Sequence, residues 1–123
     1  MARGIRAGVV AIVAAGVVSL TVGFAAGQAK GDAKAGEPVY KAKCVGCHGA
    51  TGAGDGPAGK VLNPKARDWT KGEGLDLSDQ QLFDSIKKGG EAVGRAKTMI
   101  AFPSLSDAEV WNLVAYVKSL KKA

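Results

Sequence analysis

The sequence predicts an all-α domain on three observations. Two segments open with a capping box ahead of apolar residues at helical spacing. No segment alternates apolar and polar residues long enough to make a strand, and glycines and prolines collect in one stretch between the helical segments. At 123 residues the chain allows one ordinary domain, and a chain of this size buries only a modest core, so a large apolar cofactor would help it fold.

The N-terminus reads as a targeting segment. Arg3 and Arg6 precede a nearly unbroken apolar run from Val9 to Ala26, and small residues allow cleavage after Ala25, Gly27 or Ala29. A run of about 18 residues is also at the lower limit of a spanning helix. Residues 1–29 are therefore a signal peptide or a membrane anchor, and residues 30–123 are the exported domain. That domain is periplasmic, either soluble after cleavage or held at the cytoplasmic membrane.

Residues 27–36 (GQAKGDAKAG) read as a flexible linker. A first helix is expected from about Glu37, with Pro38 in its first turn, running into Cys44. Residues 49–77 carry seven glycines with Pro57 and Pro64 and have no periodicity; a loop this long is expected to wrap something. Ser78 and Gln81 form the first capping box, Leu77 and Leu82 a hydrophobic staple, and Gly89 a stop. Ser106 with Glu109, and Leu105 with Val110, repeat the pattern ahead of Val110, Leu113, Val114, Val117 and Leu120, the most strongly marked helix.

The chemistry is concentrated in Cys44-Val45-Gly46-Cys47-His48, a C-x-x-C-H motif. Two thiols one helical turn apart can each add to a vinyl group of a haem, and the adjacent histidine then faces the iron. The covalent bonds hold the ligand at high effective concentration. A disulfide between cysteines this close is strained, a thioredoxin-like pair needs a βαβ context, and a zinc site needs more Cys or His than the chain has. His48 is the only histidine, and Met99 the only methionine besides the initiator. Met99 lies in a loop between two helices, where a core filler has less reason to be than an iron ligand. Imidazole with thioether favours reduced iron and suits one-electron transfer. Lys97 is the fallback ligand. Gly54 to Lys60 fits G-x-x-x-x-G-K, but Val61 stands where a nucleotide site needs Ser or Thr, and Pro57 removes a backbone N–H.

These residues, with Gly54-Asp55-Gly56-Pro57 and the helix from Leu105 to Val117, resemble the class I c-type cytochromes of bacteria, monohaem and His/Met ligated, over about residues 33–120. The resemblance implies the small cytochrome c fold, with helices packed around one covalently bound haem c and its iron. It implies that the first and last helices cross closely at Gly36, Tyr40, Leu113 and Tyr116. It also implies that the carbonyl of Pro57, or of its rival Pro64, holds the His48 N–H. Trp69 and Arg67 match positions that pack near a haem propionate. Met99 departs from the pattern in being followed by Ile100, where proline is common.

The resulting expectation is a one-electron carrier rather than an enzyme, cycling iron between Fe(II) and Fe(III) as a monomer. Its partners are transient redox proteins, a donor and an acceptor, and no nucleic acid, since no basic stripe with interleaved aromatics is present. All but two of the 17 basic residues and all 11 acids lie beyond residue 29, leaving the domain mildly basic. Lys41, Lys43, Lys87, Lys88 and Lys97 are candidates for a docking face. A haem subunit of a larger oxidoreductase uses the same site, and a haem enzyme or gas sensor would need an open sixth position.

Overall fold

The computed structural model describes residues 30–123, so the expectations for residues 1–29 lie outside the described residues. Among these residues four α-helices follow one another: α1 (Ala33–Lys43), α2 (Val45–His48), α3 (Asp79–Lys88) and α4 (Asp107–Ser119). Single 3-10 turns occupy Gly59–Val61, Trp69–Lys71 and Gly90–Val93, and there is no strand among the described residues.

α1 begins four residues before the expected start. The Asp32 carboxylate accepts the Lys34 N–H at 2.8 Å and caps the helix at Ala33, which puts Pro38 in the interior rather than the first turn. Proline there leaves the Lys34 carbonyl without its helical partner, at an exposed residue where water can take it. The linker is correspondingly shorter. Asn112 of α4 accepts the Asp32 N–H at 2.7 Å. Gly31, at φ 127°, lies against the α4 backbone, where an added Cβ would be 2.8 Å from the Asn112 nitrogen.

α1 and α4 cross at the residues the resemblance implied. Gly36 is buried, and its missing side chain lets the backbones approach: a Cβ there would sit 2.6 Å from the Asn112 carbonyl carbon and 2.9 Å from Tyr116 Cβ. Tyr40 is fully buried, with its ring centroid 5.0 Å from that of Tyr116, and its hydroxyl donates to the Gly49 carbonyl at 2.6 Å. Val110, Leu113, Val114 and Val117 line the buried stripe of α4. Leu120, the last residue of the apolar pattern, is its C-cap.

Both capping boxes are formed. Ser78 Oγ accepts from the Gln81 N–H while Gln81 Oε1 accepts from the Ser78 N–H, and Ser106 and Glu109 do the same for α4. Leu82, Leu105 and Val110 belong to the core cluster and Leu77 packs against it, in keeping with the two staples. Gly89, at φ 92°, ends α3.

The Gly-rich segment 49–77 has more order than a bare loop. Its first half wraps α2: Gly54 N–H donates to the His48 carbonyl at 2.9 Å, and Ala58 N–H to the Gly46 carbonyl at 2.9 Å. Its second half returns past this turn, where Trp69 N–H donates to the Gly52 carbonyl at 2.8 Å.

Candidate functional site

One cleft gathers the residues singled out by the motif. It has an empty volume of about 1180 Å³, open mouth included, and Cys44, Cys47, His48, Trp69, Arg67 and Met99 all line it. Its apolar wall comes from Leu82 and Ile86 of α3, Leu113 and Val117 of α4, and Leu62, Leu77 and Phe102 of the loops. A large apolar cleft with a few placed polar groups is the ordinary form of a cofactor site.

The local fold fixes each donor. Cys44 terminates α1, its N–H donating to the Tyr40 carbonyl at 2.8 Å, and α2 then carries Cys47 and His48 one turn on. Both thiols are free. Burial, and then the neighbouring Cys47, push the Cys44 thiol up to about 11, so it stays protonated at neutral pH. His48 is buried and stacked on Trp69, with ring centroids 3.9 Å apart and planes 12° apart. Burial lowers its pKa to about 4. Its Nδ1 is buried without a hydrogen-bond partner. A neutral imidazole beside two free thiols in an apolar cleft is the donor set that a covalently attached haem takes, so the residues fit a haem.

Met99 is held through its backbone, its N–H donating to the Ala96 carbonyl at 3.2 Å and its carbonyl accepting from Gly90 at 2.9 Å. Gly90 makes this possible, since a Cβ there would be 3.0 Å from Met99 Cβ. Lys97, the fallback ligand, is not among the cleft-lining residues; its side chain is exposed and pairs with Glu91 at 3.5 Å.

Pro57 is not placed as expected. It is exposed and off the cleft, and since His48 Nδ1 has no partner, the Pro57 carbonyl does not accept from it. The reason is local: the turn around it is anchored to Gly46 through Ala58, and Gly56 is pressed so close that a Cβ would lie 2.7 Å from the Gly46 carbonyl carbon. Pro64, the rival, does line the cleft. Arg95 lines it too, and no motif in the sequence marks it. Its signal is spatial, a cation brought in by the loop that carries Met99.

The expected docking lysines also divide. Lys41 pairs with Glu37 at 2.6 Å, Lys87 with Asp107 at 3.1 Å, Lys88 with Asp84 at 2.9 Å and Lys97 with Glu91. Lys43 has no ion pair among the described residues and lines the cleft beside Cys44, as does Lys65.

The family described as cytochrome c oxidase, cbb3-type, subunit III matches residues 31–117. Cytochrome c2 of Rhodospirillum rubrum is 35% identical, over 88% of this chain and 96% of its own. The cbb3-type cytochrome c oxidase subunit FixP of Azorhizobium caulinodans is 35% identical over 72% of this chain, which spans only 29% of that protein. Among solved structures, the KustC0563 c-type cytochrome superposes with a TM-score of 0.54 at 28% identity, covering 71% of this chain and 98% of its own. A chain of the Kuenenia stuttgartiensis reducing HAO-like protein complex gives 0.60 at 27%, over 75% of this chain and 44% of its own. The chain belongs to the cytochrome c family, proteins that carry electrons on a covalently bound haem c.

Proposed function

We propose that Cys44 and Cys47 hold the haem, that His48 and Met99 are its axial ligands, and that the protein is a single-haem carrier exchanging electrons with separate donor and acceptor proteins outside the cytoplasm. The observation that carries this reading is the convergence of both thiols, the neutral imidazole and the only thioether among residues 30–123 on one apolar cleft. Bound haem supplies reversible one-electron chemistry, Fe(II) to Fe(III). The chain keeps that chemistry simple. The backbone bonds at Ala96 and Gly90 hold Met99 at the cleft wall, where its thioether would close the sixth iron position. The apolar wall of α3 and α4 would shield one side of a bound haem from water, which limits reorganisation. Lys43 and Lys65, at the cleft and without ion pairs among the described residues, favour an acidic partner.

The apolar run and basic start of residues 1–29 support export, with the segment either cleaved or kept as an anchor. No helix among the described residues is long and apolar enough to cross a membrane. The near full-length match to cytochrome c2 supports a free carrier. The match to an oxidase subunit favours a second reading, a fixed haem subunit, which co-purification with a stable partner would identify.

The test is an optical spectrum of protein produced with a haem-attachment system. A c-type spectrum is expected with the weak long-wavelength band of oxidised Met–iron ligation, absent in Met99→Ala. Lack of covalent haem would sink the reading.

A further inference from the structure

Four cationic side chains line the cleft, Lys43, Lys65, Arg67 and Arg95, and no carboxylate side chain lines it. A haem carries two carboxylates, so these cations bear on how it is seated. Arg95 is the most firmly placed of the four. Its N–H donates to the Gly90 carbonyl at 2.8 Å, and its Nη2 donates to Asp76 Oδ2 at 2.7 Å. Asp76 occupies one nitrogen of a guanidinium that has five N–H donors, so most of the fork remains available. The segment Asp76 belongs to, residues 74–77, itself lines the cleft through Gly74 and Leu77. Arg67 comes to the same segment, since a Cβ on Gly74 would lie 3.3 Å from Arg67 Cγ. Two arginine side chains thus reach one stretch of the cleft wall, Arg67 through its aliphatic stem and Arg95 through its guanidinium, and a planar fork suits a carboxylate better than an ammonium does. Only 33% of the Arg95 side chain is exposed, against 83% for nearby Lys97, so its charge is less screened by water.

We propose that Arg95, buttressed by Asp76, donates to a haem carboxylate and raises the reduction potential of the iron. The inference rests on the haem reading above. A positive charge beside the cofactor favours the form with the extra electron, and neutralising a carboxylate that would otherwise favour Fe(III) acts in the same direction.

The experiment is a potentiometric titration of the haem-loaded protein with Arg95→Gln, Arg95→Lys and Lys97→Gln. Arg95→Gln is expected to shift the Fe(III)/Fe(II) balance toward Fe(III) by about threefold to tenfold, tenfold being about 59 mV for one electron. Arg95→Lys keeps the charge and is expected to retain most of the potential. Lys97→Gln, at an exposed and paired lysine, is expected to shift it less than Arg95→Gln does. The Met–iron band is expected to persist in all three. An unchanged potential in Arg95→Gln overturns the proposal, as does an Arg95→Lys shift as large as that of Gln. Loss of the Met–iron band in Arg95→Gln also overturns it, because Arg95 would then be a strut of the Met99 loop. Failure of the haem reading itself is seen separately, as wild-type protein without covalent haem.

Discussion

Replacing Gly36 with alanine tests whether the fold depends on the close crossing of α1 and α4. In an exposed helix interior this change stabilises by about 0.5–1 kcal/mol, because glycine loses more backbone freedom on folding. Here the new methyl would sit 2.6 Å from the Asn112 carbonyl carbon and 2.9 Å from Tyr116 Cβ, well inside ordinary van der Waals contact at 3.4–4 Å. The obstruction on the Asn112 side is backbone, so no side chain can rotate away and the helices must separate. Overpacking of this kind costs about 1–3 kcal/mol, and a clash with backbone belongs at the upper end. Less the propensity gain, the net loss is about 2 kcal/mol, which in a domain of this size lowers Tm by about 8–16 °C. The assay is thermal unfolding of the haem-loaded protein followed by circular dichroism. Gly46→Ala is the control, since nothing lies within 4 Å of a Cβ at that exposed position. A Gly36→Ala protein that melts at or above the wild-type temperature would refute the close approach and the packing argument built on it.

Met99→Ala should leave covalent haem intact while opening the sixth position, so that the ferrous protein binds carbon monoxide without denaturant; binding equal to wild type would remove Met99 as the ligand. Tyr40→Phe strands the buried Gly49 carbonyl and should destabilise by about 1–3 kcal/mol in denaturant titration. The same variant has a pH signature. Burial, then the nearby Cys44 thiol, raises the Tyr40 pKa above its ordinary 10, so its stabilising contribution is complete below pH 10 and is lost as pH rises through the folded value. The wild-type protein should therefore lose more stability above pH 10 than Tyr40→Phe, and parallel alkaline profiles would contradict this. Ser106→Ala removes the acceptor for the Glu109 N–H and should cost about 1 kcal/mol, read as a lower denaturation midpoint with an unchanged slope.

What could be read in advance was whatever local chemistry decides. The helices starting after Ser78 and Ser106 are set by side chains three residues apart, and both boxes form as written. The start of α1 escaped because its determinants are split: Asp32 caps it locally, but Asn112, 80 residues away, holds the cap. Pro38 then misled, since a proline in a first turn is the commoner arrangement. In the cleft, C-x-x-C-H and the lone Met99 were visible because their residue types are scarce. Pro57 came from the family resemblance, and a resemblance does not say which way the turn faces in this chain. Arg95 could not be found at all, because an arginine in a loop is ordinary until Asp76 and Gly90 fix where it points.

The division of the core explains why so short a chain tolerates so long an irregular segment. Among the described residues the largest fully buried side chains, Tyr40, Val110, Leu113 and Val114, lie on α1 and α4, whose crossing forms a framework. Leu77, Ile86 and Phe102 pack against that framework but remain only partly buried, and they line the cleft. Their remaining apolar surface is what a haem face would cover, at about 25 cal/mol for each Å² removed from water. The segments from 62 to 77 and 95 to 102 thus need little regular structure of their own, because a bound haem would order their apolar residues as a sheet orders other loops. It follows that losing haem should loosen these segments before the α1–α4 crossing. Amide exchange on the Cys44→Ser/Cys47→Ser protein should then show protection lost first around Leu77 and Met99 and last at Leu113, and uniform loss would mean that the framework too depends on the haem.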